Sequence, residues 1–208
     1  MLGEYIPTIS LVISISVVMV VSPGQDFAVI TRNSLLYSRK SGVIGAFGIF
    51  CAIWLHVAYS LAGIAIIISQ TEVLYNLIKY GGASYLIFLG IKCFFAKSDR
   101  AIPTGKFDKV CISNTAAFRA GFISNALNPK TTLFFLSIFT QVVTPETPYL
   151  IQLLFGFIIA TAHFLWFSIV AFLFSSQRLA NKIYDKKLWI ERVMGGCLCL
   201  FAGKLIYF

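Results

Sequence analysis

Two short polar stretches carry most of the chemistry this chain can offer, and both lie in apolar surroundings: "SPGQDF" at 22–27 and "NALNPK" at 125–130. Each holds a proline behind a residue type that caps helix starts, Ser22 before Pro23 and Asn128 before Pro129. A proline removes one backbone hydrogen bond and clashes with the turn before it, at a cost of about 3 kcal/mol or more. In hydrocarbon the freed carbonyl has no water to turn to. A helix start at such a place exposes N–H groups and about half a positive charge, which suits an anionic group such as a carboxylate. Lys130 adds a full positive charge and Asp26 the opposite sign, so the pair complements a zwitterion. Intramembrane ions are costly, about 2.5 to 3.5 kcal/mol each on the lower scales, and mark function by default.

The elements that must position these groups are read from composition and charge. The chain has 208 residues, 58% of them apolar and 12% charged, with a mean hydropathy of +0.84. A soluble domain is about 25% charged, so an integral membrane protein is expected. Basic residues number 17 against 8 acidic ones. They fall in loops without interleaved aromatics, which excludes a nucleic-acid surface and fits membrane topology. The first apolar run follows "MLGEYIP", without a cationic leader, so no removable signal peptide is expected. The 5 cysteines, without a C-x-x-C pair, give no expectation of a disulfide or metal centre, and no cofactor is expected.

A membrane-crossing helix needs about 20 apolar residues. Six stretches qualify, at 5–22, 43–69, 73–96, 120–143, 149–174 and 189–208. Cations fill alternate loops: Arg32, Arg39 and Lys40, then none, then Lys97, Arg100, Lys106, Lys109 and Arg119, then none, then Arg178, Lys182, Lys186 and Lys187. The positive-inside rule makes those three loops cytoplasmic and both termini external. Lys79, Lys92 and Lys204 read as interfacial anchors.

The basic loop at 97–115 divides six spans into three and three, which predicts an all-α membrane domain over 1–208 built as an inverted repeat, about 5–96 and 116–208. Spans one and four are then discontinuous, broken at Pro23 and Pro129. Ser22 stands ten residues before Arg32 and Asn128 nine after Arg119, so at 1.5 Å per residue both breaks lie about 14 Å from the cytoplasmic charge line, near the midplane. Their helix starts converge. On span four Asn125, Asn128 and Thr132 recur at helical spacing beside Lys130. His56 and His163 are the chain's 2 histidines, each near the middle of its span and each a candidate proton relay beside Asp26. His56 also continues a small-residue stripe, Gly45, Gly48 and Ala52, that reads as close helix packing.

"SPGQDF", "GGASYLIFLGIK" and "NALNPKTTLFF" together resemble the LysE/RhtB family of bacterial amino-acid exporters, over nearly the whole chain. The resemblance implies a multi-pass transporter of the bacterial inner membrane that exports small amino acids by proton antiport. The threonine and homoserine branch is the most similar. It assigns Ser22, Pro23, Gly24, Asp26, Asn128, Pro129 and Lys130 to the site. Where the family reads a second proline, Gln25 restores a backbone donor and adds an amide. Two other classes are weighed against this one. Metal-ion export wants clustered carboxylates, thiolates or imidazoles in the core, and an intramembrane thiol relay wants cysteines beside the breaks. Small-residue faces on spans two, three and six permit a homodimer.

Overall fold

The computed structural model describes residues 2–70, 72–95, 112–144, 146–176, 179 and 186–207. Among the described residues a short 3-10 turn, Leu2–Tyr5, leads into eight helices: α1 (Ile6–Val21), α2 (Gln25–Leu36), α3 (Arg39–Gln70), α4 (Glu72–Phe94), α5 (Asn114–Ala126), α6 (Pro129–Val142), α7 (Tyr149–Phe174) and α8 (Lys187–Tyr207). Among the described residues there is no strand. Among the described residues three segments, Gly3–Val21, Arg39–Gly63 and Tyr149–Phe174, are long and apolar enough to cross a membrane. The chain is an all-helical integral membrane protein. The loop expected at 97–115 lies outside the described residues as far as 111, as do Arg178, Lys182 and the side chains of Lys79, Lys187 and Lys204.

Local sequence sets the helix ends. Pro7 occupies the first turn of α1, where its missing N–H costs nothing. Ser113 caps α5, its hydroxyl accepting from Ala116 N at 3.1 Å, and Pro148 precedes α7. The two apolar stretches at 5–36 and 114–142 are each interrupted, at 22–24 and at 127–128.

Helices pack across the two halves of the chain. α1 packs on α7 and α5 on α3; α2 packs on α7 and α6 on α3; α3 meets α7 and α4 meets α8. The closest approach is between α3 and α5. A Cβ on Gly121 would stand 1.9 Å from the carbonyl oxygen of Gly45, and one on Gly48 would stand 2.3 Å from that of Phe118. Only glycine lets these two backbones touch. The α4–α8 crossing uses the same device at Gly90 and Gly195.

Two apolar clusters result. One gathers Ile15, Met19, Ile53, Leu86, Phe134, Phe135, Ile138, Phe155 and Leu198. The other gathers Val20, Ile30, Ala46, Ile49, Phe167, Val170 and Phe174. Along the chain the first interruption falls between Met19 of one cluster and Ile30 of the other, so its polar residues sit where the two apolar masses adjoin. Arg32, Arg39, Lys40, Lys92, Arg119, Lys186 and Arg192 are all exposed, whereas Lys130 is half-buried.

Candidate functional site

The site is built from what two prolines remove. In a continuous helix the N–H of residue 23 would donate to the Met19 carbonyl, and that of residue 129 to the Asn125 carbonyl. Proline has no such donor. Each of these carbonyls accepts from a side chain elsewhere in the fold, Asn125 O in addition to a backbone N–H. Lys130 Nζ, on α6, donates to Met19 O at 3.2 Å and to Ser22 O at 2.7 Å. His56, on α3, brings Nε2 to 3.0 Å from Asn125 O, which also accepts from Asn128 N at 2.9 Å. A cation at the C-terminal end of α1 also meets the negative end of that helix's dipole, an arrangement worth up to about 2 kcal/mol when partly buried.

The two helix restarts differ. At the second, Asn128 caps α6, its Oδ1 accepting from Lys130 N at 3.0 Å, and Pro129 is the first helical residue. At the first, Ser22 does not cap the new helix. It closes α1, its N–H donating to Val18 O at 3.3 Å. Gly24, in an extended conformation, is the N-cap of α2, with no side-chain cap bond, and the helix begins at Gln25 rather than Pro23. Gln25 has an N–H where a second proline would not, and its side chain is exposed.

Asp26 stands in the first turn of α2, 5% exposed, where an anion is favoured by the helix dipole. Its Oδ1 accepts from Ser124 Oγ at 2.8 Å, and its Oδ2 accepts from Asn125 Nδ2 at 2.8 Å and Asn128 Nδ2 at 2.9 Å. One carboxylate therefore ties the start of α2 to the end of α5 and the cap of α6, by three charge-assisted bonds. Asn125 Nδ2 also reaches Thr131 Oγ1 at 3.3 Å, while Asn125 Oδ1 has no partner among the described residues.

Beside Asp26 lies a cavity of about 20 Å³, lined by Ser22, Gly24, Asp26, Asn128, Lys130, Thr131 and His163, with Met19, Val20, Phe27 and Phe167. That volume takes about one water molecule. Thr131, not Thr132, faces it. Thr132 bonds back to Asn128 O at 3.1 Å, because the interruption at 127–128 resets the helical phase and spacing counted through it fails. Pro129 is exposed and Pro23 half-buried, so both shape the backbone rather than line the cavity. His163 is buried and donates from Nδ1 to Ile159 O at 2.8 Å.

Two features were invisible to spacing. Ser124, the third donor to Asp26, looks like any small helical residue in sequence. Cys93, on α4, places its Sγ 3.1 Å from Ser22 Oγ, so a thiol does stand beside the first interruption although neither motif contains one. Among the described residues no three of His, Cys, Asp and Glu gather as metal ligands.

Comparison with known proteins adds a family. The LysE type translocator model matches residues 17–208. A membrane protein of Bacillus subtilis (strain 168), YrhP, is 28% identical over 201 residues, covering 92% of this chain and 95% of its own. The threonine efflux protein of Escherichia coli (strain K12) is 26% identical over 190 residues, covering 91% of each chain, and that of Salmonella typhi is 27% identical over 192 residues, covering 91% of each. No solved structure matches the chain.

Proposed function

This chain belongs to the LysE type translocator family, and from that premise we propose that it exports a small neutral or polar amino acid, threonine or homoserine in kind, across the bacterial inner membrane in exchange for protons. It is a transporter and not an enzyme. The observation that carries the substrate class is the junction of the two interruptions. An anion, Asp26, and a cation, Lys130, flank one cavity beside the starts of α2, which has no side-chain cap, and α6, which Asn128 caps. Those are the charges a zwitterion needs.

In this reading the halves 5–96 and 116–208 are inverted repeats of three spans each, with spans one and four broken at Pro23 and Pro129. The reciprocal packing of α1 on α7 and α5 on α3, and of α2 on α7 and α6 on α3, supports that symmetry. A cavity of about 20 Å³ is too small for any amino acid, so the conformation is a closed one and transport requires the two interruptions to part. On parting, Lys130 exchanges the Met19 and Ser22 carbonyls for the substrate carboxylate. Asp26 exchanges Asn and Ser donors for the substrate ammonium or a proton, which makes binding of the two competitive. Asp26 is the proton-coupling site, with His163 beside it in the cavity. One proton entering down 100 mV releases about 2.3 kcal/mol, enough at about 1.4 kcal/mol per tenfold to sustain a roughly fifty-fold outward gradient.

Other readings find less support. Metal export lacks a ligand cluster among the described residues. A thiol relay has one cysteine, Cys93, in hydrogen-bonding contact with the junction among the described residues, and dithiol exchange needs a second thiol to resolve the first. The deciding experiment compares extracellular amino acids from overexpressing and deletion cells fed dipeptides. Threonine or homoserine that rises with overexpression and falls on deletion supports the proposal; an unchanged medium, with cells instead sensitised to a metal, overturns it.

A further inference from the structure

The carbonyl of Asn125, which loses the residue-129 donor to proline, is held by an imidazole as well as by Asn128 N, and the other side of that imidazole is not free. His56 is fully buried, stacked on Phe135 with ring centroids 5.4 Å apart, and its Nδ1 is hydrogen-bonded to the Tyr59 hydroxyl. The carbonyl of Asn125 has no hydrogen to give, so Nε2 must be the donor at 3.0 Å. In the neutral ring Nδ1 is then an acceptor, and the Tyr59 hydroxyl donates to it. Both ring nitrogens are committed: the Asn125 carbonyl fixes the tautomer, and the Tyr59 hydroxyl completes it as donor to Nδ1. Tyr59 lies one helical turn further along α3, 40% exposed, with its ring edge against the imidazole at 5.3 Å.

We infer that Tyr59 and His56 are positioning residues for the Asp26 carboxylate rather than members of a proton path. The reasoning deepens the exporter proposal and rests on it for its transport arm. Tyr59 donates to Nδ1 and so holds the ring of the Nε2–H tautomer in place, and that N–H gives the Asn125 carbonyl a second donor beside Asn128 N at the end of α5. The carbonyl so held belongs to the residue whose side-chain amide donates to Asp26 Oδ2 at 2.8 Å. A chain of hydrogen-bonded groups thus runs from a partly exposed phenol to the buried carboxylate, through a backbone carbonyl that no proton can cross. His56 does for the second interruption what Lys130 does for the first. His163, donating from Nδ1 to Ile159 O, is of the opposite tautomer.

The chain's 2 histidines make this testable without knowing the substrate. Nitrogen-15 NMR of histidine-labelled protein, with His163→Gln for assignment, should show His56 carrying its hydrogen on Nε2 and His163 on Nδ1. Tyr59→Phe should move the His56 Nδ1 resonance and leave His163 alone. A His56 hydrogen on Nδ1, or an unmoved resonance in Tyr59→Phe, overturns the inference. The transport arm uses radiolabelled L-threonine as probe in proteoliposomes. His56→Gln keeps an N–H donor at the Nε2 position but cannot titrate, and should retain export within about threefold. His56→Leu, confirmed folded by melting and gel filtration, should lose about tenfold, and Tyr59→Phe about fivefold, as expected for one neutral hydrogen bond. A folded His56→Gln protein as inactive as His56→Leu would make His56 a proton carrier and sink the inference. Wild-type protein that moves no threonine counts against the exporter proposal alone, since the NMR result stands independently.

Discussion

Replacing Asp26 by Asn should separate folding from function. The carboxylate accepts three hydrogen bonds, one on Oδ1 from Ser124 and two on Oδ2 from Asn125 and Asn128. An asparagine can keep its oxygen where Oδ2 lies and turn its NH2 toward Ser124, whose hydroxyl rotates from donor to acceptor. No donor is then left facing a donor. Each bond falls from charge-assisted to neutral strength, a loss of roughly 1 kcal/mol apiece and about 3 kcal/mol in all. Against this, the buried charge disappears, which returns about 2.5 to 3.5 kcal/mol on insertion scales. The terms nearly cancel, so Tm in detergent should stay within about 4 °C of wild type, at roughly 2 to 4 °C per kcal/mol for a chain of this size. Proton-driven uphill export in proteoliposomes should nevertheless fall to background, because no titratable carboxyl remains at the junction. A variant that melts more than about 10 °C lower would show that Asp26 is a structural tie, and one that still concentrates substrate uphill would remove it from coupling.

Lys130→Met should be worse for stability than Asp26→Asn. Two charge-assisted bonds to Met19 O and Ser22 O, about 1.5 to 3 kcal/mol each, are lost against a similar return of about 2.5 to 3.5 kcal/mol for the charge. A Tm lower by several degrees and export below a tenth of wild type are expected, with Lys130→Arg intermediate in both assays. Gly121→Ala places a methyl 1.9 Å from Gly45 O and must push α5 from α3. Overpacking of about 1 to 3 kcal/mol or more should show in thermal melts, with loss of export because Ser124 and Asn125 ride on the same helix. Asn128→Ala removes both the α6 cap and one donor to Asp26, and should cost about 1 to 3 kcal/mol, read by the same melts.

Much of this arrangement was legible in the sequence because prolines and charges are conspicuous against apolar residues. Pro23, Pro129, Asp26 and Lys130 stand out within apolar runs, and the helices are interrupted beside both prolines. Close packing on the Gly45 and Gly48 face followed from residue size alone. What could not be read is which partner each polar group finds. Asp26 and its donors are 98 to 102 positions apart, and nothing local to Ser124 distinguishes it from a packing serine. Ser22 looked like a cap because serine before proline usually is one, but the chain is extended at Gly24 and the hydroxyl turns to Cys93 instead. A period of 3.6 carried across the place where the helix stops points to Thr132 and passes over Thr131, the threonine that lines the cavity. Lys130 was read as open to a ligand, whereas here it closes the carbonyl end of α1. That commitment depends on proline chemistry in one half and a side chain from the other, which only the folded chain brings together.

The central claim is that the two interruptions form one ligand site that must open. A cysteine at Thr131, in a chain whose five native cysteines are replaced by serine, reports on it directly through a small water-soluble thiol reagent. Labelling should be slow in resting proteoliposomes, where the cavity of about 20 Å³ excludes the reagent, and should quicken under an imposed proton gradient. Saturating amounts of the exported amino acid should protect Thr131→Cys and leave a control cysteine at exposed Glu146 unaffected. Rapid labelling regardless of gradient, or no protection at concentrations that saturate export, would contradict the account.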